Sequence, residues 1–181
     1  GPGADGVGEL VLAGAADLDR FGRAVAGAGD VNGDGYDDVI VGAPDNDTGG
    51  SNAGRAYVYF GGASPDSLAD IVVTGIAAFD YLGRSVGGVG DMNGDGYDDF
   101  VIGSDASGPG GDGAGAAWVF FGGASPDAVA DWTVGGTAPY EHLGSAVGAA
   151  GDVNGDGYAD VIVGAPGNDA GGRSAGQAWV F

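Results

Sequence analysis

The chain has no cysteine and no lysine, one methionine, one histidine and no long apolar run. The missing cysteine excludes a disulfide framework, and if the protein works outside a cell some other cross-link, such as a bound ion, must take its place. The missing lysine leaves five arginines against 26 acids and a net charge of −21. Such a surface repels phosphate backbones and anionic headgroups, so nucleic acid and membrane are poor partners. No stretch is long and apolar enough to insert in a membrane, and no signal peptide is visible. The opening Gly1-Pro2 reads as the scar of a protease cut, in which case an export signal would have been removed. Enzyme signals are equally thin. The lone histidine, His142, sits beside Glu141, a pairing that can serve acid–base work. The matching positions one and two units earlier are Asp80-Tyr81 and Asp19-Arg20, which reads as a variable surface turn. No serine stands in a nucleophile elbow.

What is present is repetition. The 43 glycines and 7 prolines among 181 residues approach a level that ordinarily signals disorder, but here the glycines recur at fixed places. The nonapeptides DVNGDGYDD (30–38), DMNGDGYDD (91–99) and DVNGDGYAD (152–160) start 61 residues apart. A hard divalent cation needs several oxygens on a tight turn. Positions 1, 3, 5 and 9 supply side-chain oxygen, as Asp30, Asn32, Asp34 and Asp38 do in the first copy. Glycines at positions 4 and 6 let the backbone curl inward, and position 7, Tyr36, can then offer its carbonyl. The competing reading is turn chemistry, in which Asp and Asn bond their own backbone. Refilling every donor position three times favours the cation. Position 8 varies (Asp37, Asp98, Ala159) and is read as outside the ligand set.

The flanks exclude an EF-hand, whose loop needs a glutamate at position 12 and helices on both sides. Position 12 is Val41, Ile102 or Val163, and each nonapeptide runs into a short β-branched segment, DVIVG, DFVIG or DVIVG, which reads as a buried strand. Four strand-like segments recur per unit: Glu9–Ala13, Arg23–Ala28, Asp38–Val41 and Arg55–Phe60; Asp70–Thr74, Arg84–Val89, Asp99–Ile102 and Ala116–Phe121; Asp131–Gly135, Ser145–Ala150, Asp160–Val163 and Gln177–Phe181. The units divide as 9–69, 70–130 and 131–181. Four strands repeated radially predict an all-β fold of β-propeller blades. Small residues crowd one strand of each unit (AVAGAG, SVGGVG, AVGAAG), which suits a crowded centre. The aromatic strands alternate Tyr57/Tyr59 against Val58/Phe60. Trp118 and Trp179 read as contacts between blades more readily than as stacking platforms for a ligand.

Each unit resembles an FG-GAP repeat, the building block of the seven-bladed propeller of integrin α subunits. The first has Phe21-Gly22 and Gly42-Ala43-Pro44; the second has the degraded Leu82-Gly83 and Gly103-Ser104-Asp105; the third has Leu143-Gly144 and Gly164-Ala165-Pro166. The resemblance implies one Ca²⁺ per unit, three per chain. Its ligands would be Asp30, Asn32, Asp34, the Tyr36 carbonyl and Asp38; Asp91, Asn93, Asp95, the Tyr97 carbonyl and Asp99; and Asp152, Asn154, Asp156, the Tyr158 carbonyl and Asp160. Three bound ions would bring the charge from −21 to about −15. In the family such ions stiffen the propeller, and adhesive ligands bind loops on the opposite face, here around 44–54, 105–115 and 166–176.

In the family order a blade starts at the FG strand, so the third unit lacks its outer strand while Glu9–Ala13 is a spare one. An open sheet edge invites pairing, and the expectation is a head-to-tail homodimer whose two chains form a six-bladed ring, each N-terminal strand completing the other's last blade. The competing account is a piece of a longer chain. The functional expectation is a non-enzymatic, calcium-binding module of structural or adhesive role at the cell surface or outside the cell, with an extracellular protein or glycan as partner. The alternatives are lectin-like sugar binding, an amplified or engineered self-assembling propeller, and an accessory domain of a hydrolase.

Overall fold

The computed structural model describes residues 10–106 and 108–181. Eleven strands form three antiparallel sheets in chain order. The first contains β1 (Ala24–Gly29), β2 (Asp38–Ala43), β3 (Arg55–Tyr59) and β4 (Ile71–Thr74). The second contains β5 (Ser85–Gly90), β6 (Asp99–Ser104), β7 (Ala116–Phe120) and β8 (Trp132–Gly135). The third has three strands, β9 (Ala146–Gly151), β10 (Asp160–Ala165) and β11 (Gln177–Val180). Each sheet meanders, every strand pairing with the next in sequence. Among the described residues there is no helix. The all-β expectation and its blade-like sheets are met, with strand ends shifted by a residue or two.

One segment departs from expectation. Of the predicted strand Glu9–Ala13, residue 9 lies outside the described residues, and Leu10–Ala13 is irregular rather than extended in a ladder. A strand requires a partner for its amides and carbonyls. Here Leu12 instead packs on the cluster of Val41, Tyr57 and Tyr59, which belongs to the first sheet.

The core lies between sheets rather than within any one of them. Ile40 and Val58 of the first sheet meet Phe100 and Phe120 of the second, and those two rings stack at 4.9 Å. Val101 and Val119 of the second meet Val161 of the third in the same way. Strands β1, β5 and β9, rich in Gly and Ala, run side by side where the sheets converge. They can do so because few side chains intervene: a Cβ on Gly88 would stand 2.6 Å from the Gly27 carbonyl oxygen. Trp118 and Trp179 pack against the two inter-sheet clusters, as the structural reading of these indoles requires.

The FG and GAP motifs meet across each joint. A Cβ on Gly42 would lie 2.0 Å from the carbonyl oxygen of Gly83, and one on Gly103 would lie 2.2 Å from that of Gly144. Single parallel bridges, Gly54 to Leu82 and Gly115 to Leu143, tie the sheets beside these contacts. Phe21 wedges edge-on against Tyr57 at 5.5 Å and Tyr59 at 6.4 Å within the first sheet.

Candidate functional site

The nonapeptides form the turns from β1 to β2, β5 to β6 and β9 to β10. Glycines at positions 4 and 6 take left-handed backbone in every copy, from Gly33 (φ 76°) and Gly35 (φ 88°) to Gly155 (φ 77°) and Gly157 (φ 95°). That winding turns successive amides toward the carboxylates at positions 1 and 5. Asp30 accepts the Asp34 amide at 3.0 Å and the Gly35 amide at 2.8 Å. Asn32 Oδ1 accepts the Asp34 amide at 2.9 Å, and Asp34 accepts that of Tyr36 at 2.9 Å. The second loop repeats this with Asp91, Asn93 and Asp95, and the third with Asp152, Asn154 and Asp156.

The ninth residue behaves differently. Asp38, Asp99 and Asp160 are buried, and each opens the strand that leaves the loop. Asp38 accepts the Val31 amide at 2.9 Å and the Gly61 amide at 2.7 Å. Asp99 accepts those of Met92 and Gly122, both at 2.8 Å. Burial pushes the Asp99 carboxyl up to about 6, against the pull of its two amides, and neighbouring Asp95 and Asp91 add repulsion. Asp38 is raised for the same reasons, burial first. Asp160 has one amide, Val153 at 2.7 Å, and its other oxygen faces Asn154 Nδ2 at 3.4 Å.

Among the described residues, no three acidic or histidine groups stand close enough to form a ready-made metal cluster. The carboxylates are spread over the loop amides, as the turn-chemistry reading expects. The donor set is nonetheless that of a hard cation: three carboxylates, one amide oxygen and one carbonyl per loop, all oxygen. A carboxylate oxygen that accepts one amide keeps a second lone pair. The residues therefore fit Ca²⁺ in kind and number.

Position 8, set aside on sequence, has a place in the structure. The Asp98 carboxylate accepts the Asp30 amide at 2.8 Å, and its own amide donates to the Asp30 carbonyl at 3.2 Å. The second sheet thus clasps the first loop. Ala159 makes the backbone half of that contact with Asp91 at 3.0 Å and has no carboxylate for the other half. Tyr97 lies over Gly33 and Tyr158 over Gly94, so closely that a Cβ on either glycine would stand 2.4 or 2.5 Å from the ring. No one-dimensional pattern marks these contacts, because the partners belong to different units.

On the loop face, Asp19, Asp80 and Glu141 are buried, which corrects their reading as a variable surface turn. Asp19 accepts Asn46 Nδ2 at 2.7 Å, Glu141 accepts Asn168 Nδ2 at 2.9 Å, and Asp80 accepts the Ala77 amide at 2.8 Å. Each carboxylate fastens a loop. His142 Nδ1 pairs with the Asp105 carbonyl at 2.9 Å, so Glu141 and His142 serve separate partners. The aromatics before each FG-like dipeptide, Phe79 and Tyr140, take left-handed backbone (φ 65° and 64°) and are exposed. Phe79 borders a cavity of about 510 Å³ that is also lined by Gly108, Gly111 and Asp112.

The FG-GAP repeat family matches the chain at residues 21–59, 82–120 and 143–181. Integrin alpha-5 of Xenopus laevis is 33% identical over 159 residues, covering 82% of this chain and 15% of its own length. Integrin alpha-PS2 of Drosophila melanogaster is 33% identical over 165 residues, covering 82% of this chain and 12% of its own. Human integrin alpha-IIb is 34% identical over 163 residues, covering 81% and 15%. The chain thus spans less than a sixth of the length of these relatives. With three matched repeats whose sheets stack as propeller blades, the chain belongs to the FG-GAP repeat family.

Proposed function

We propose that this is a non-enzymatic, calcium-binding propeller module with a structural or adhesive role at the cell surface or outside the cell. The observation that carries the reading is the loop chemistry: three turns of one geometry, each offering the same all-oxygen donor set. The calcium ligands would be positions 1, 3, 5 and 9 with the carbonyl of position 7, in units running 9–69, 70–130 and 131–181. A bound ion would offset the repulsion among the carboxylates of each loop. The adhesive role rests on the kinship with integrin alpha chains and on the loop face, where Phe79 and Tyr140 are exposed beside loops fastened by buried acids.

The reading includes a head-to-tail homodimer of six blades, in which the N-terminal segment of each chain would add a fourth strand beside β11 of the other's three-stranded sheet. Native mass spectrometry from calcium-containing buffer tests both the ion and the dimer. The expected species is two chains with about six Ca²⁺, one per oxygen-rich loop. A calcium-free spectrum, with melting unchanged by chelator, would remove calcium from the reading.

The exposed aromatics also suit stacking on a sugar ring, a second reading. A glycan array probed in calcium decides it, and an array without hits sinks it.

A further inference from the structure

The two joints inside the chain are built alike, so each sheet has one face made to meet the next sheet and one made to meet the previous. In the first sheet the forward face is closed: Val31 and Ile40 are 0% exposed under the second sheet. Their counterparts in the third sheet, Val153 and Ile162, are 64% and 39% exposed. The backward face of the first sheet is open along β1 and at the start of β2, and closed farther out. Val86 is 8% exposed against the first sheet, whereas its counterpart Val25 is 67% exposed; Val41, Tyr57 and Tyr59 are buried under Leu12 and Phe21.

The glycines give an independent reading. Gly33 and Gly94 are covered by a tyrosine of the following repeat, and Gly42 and Gly103 by the following FG-like carbonyl. The same positions in the third repeat are open. A Cβ on Gly155 would meet nothing within 4 Å, and one on Gly164 would meet only Ala146, no closer than 3.7 Å. At the other end of the chain the covering groups are present without a loop to cover: Tyr36, Asp37 and Gly22, the counterparts of Tyr97, Asp98 and Gly83. Asp37 is exposed, and Gly22 has open space around its Cβ position.

We propose that the open forward face of the third sheet docks on the part of the first sheet's backward face left open at Val25 and Val39, in a second copy whose Leu12 and Phe21 already cover the rest, with Asp37 of that copy accepting the Asp152 amide. This rests on the homodimer reading and names the surfaces and the residue that complete it. The second copy is the fitting occupant because its first repeat carries what both internal joints use: a tyrosine at position 7 to lie on Gly155 and small residues along β1 to approach β9. It also carries, at position 8, the carboxylate by which Asp98 holds the first loop. The third loop lacks that carboxylate until the second copy supplies it. The apolar contact of Val153 and Ile162 with Val25 continues the established core and opposes the repulsion between two acidic chains.

The test is sedimentation equilibrium of the full chain in calcium at physiological salt, with Val25→Glu and Ile162→Glu. Both residues are exposed in the single chain, so melting of each variant checks that it remains folded. The expected result is a dimer for the parent, monomers for each variant alone, and a heterodimer when the two are mixed, since the mixture retains one intact pair of faces. Asp37→Ala is expected to weaken the dimer by roughly tenfold, as loss of one charge-assisted hydrogen bond does. A parent that dimerises while both glutamate variants also dimerise overturns the docking faces and leaves the homodimer standing. A dimer lost in Ile162→Glu alone would mean that like faces pair, and would overturn the head-to-tail arrangement. Dimer strength unchanged in Asp37→Ala overturns the role assigned to Asp37. A parent that is monomeric at high concentration, as it would be if a further repeat of a longer chain were the occupant, overturns both the docking and the homodimer.

Discussion

The Asp98 carboxylate reaches the Asp30 amide at 2.8 Å across 68 residues of chain, so one repeat holds the first residue of its neighbour's loop. Asp98→Ala is expected to lower stability by about 1–2 kcal/mol, the cost of losing a charge-assisted acceptor for a half-buried amide. Ala159→Asp would supply the missing acceptor for Asp91 and is expected to raise stability in calcium. Thermal melts of the two variants check both signs, and equal melting of Asp98→Ala and parent would rule out the clasp.

Calcium should dominate the melting temperature. An ion that binds only the folded chain stabilises it by about 2.7 kcal/mol per site at a free concentration one hundred times its dissociation constant. The triple variant Asp34→Ala, Asp95→Ala, Asp156→Ala should lose most of the calcium-induced shift. In chelator it should melt near the parent, because it also relieves repulsion. A full shift in the triple variant would exclude position 5 from binding.

Gly33 and Gly155 share one conformation, with φ of 76° and 77°, and differ in what lies above them. Gly33→Ala and Gly155→Ala should each incur the left-handed penalty of about 1–2 kcal/mol. Gly33→Ala must in addition displace Tyr97, costing about 1–3 kcal/mol more. Measured at a concentration where the protein is monomeric, equal losses would show that Tyr97 does not seat on this glycine.

Burial raises the Tyr59 hydroxyl above its usual 10.0, with Tyr57 adding to the effect. The folded state then keeps a proton that the unfolded chain gives up, so this contribution is full below pH 10 and is lost as pH rises through the folded value. Denaturant titrations at pH 9 and pH 11 should show a smaller alkaline loss in Tyr59→Phe than in the parent. Identical losses would mean that the hydroxyl ionises freely in the fold.

Eleven of the twelve strands expected from the sequence are present, because their cues are local: β-branched, aromatic or small-residue segments between turn residues, recurring at one spacing. The twelfth is Glu9–Ala13, whose described residues 10–13 join no ladder and instead set Leu12 on the first sheet. The loop residues are legible for a similar reason, since all the donors of one loop lie within nine positions. Asp98 is not, because its partner Asp30 belongs to another repeat and Ala159 hides the pattern. The buried acids Asp19, Asp80 and Glu141 mislead in the same way. They look like surface residues until Asn46 and Asn168, 27 positions away in each case, fold back over two of them. The FG and GAP motifs are readable as labels, but their meaning lies in the contact of Gly42 with Gly83 and of Gly103 with Gly144.

The parallel bridges Gly54–Leu82 and Gly115–Leu143, each set beside one apolar face, make the chain a row of equal links. Tension applied at its two ends would be borne in series. The joints should yield in succession, and each sheet that unravels should release slack of a fixed size. With family matches starting at residues 21, 82 and 143, that slack corresponds to about 200 Å of extended backbone for each of the first two repeats. An ion seated in a loop would stiffen the link that carries it.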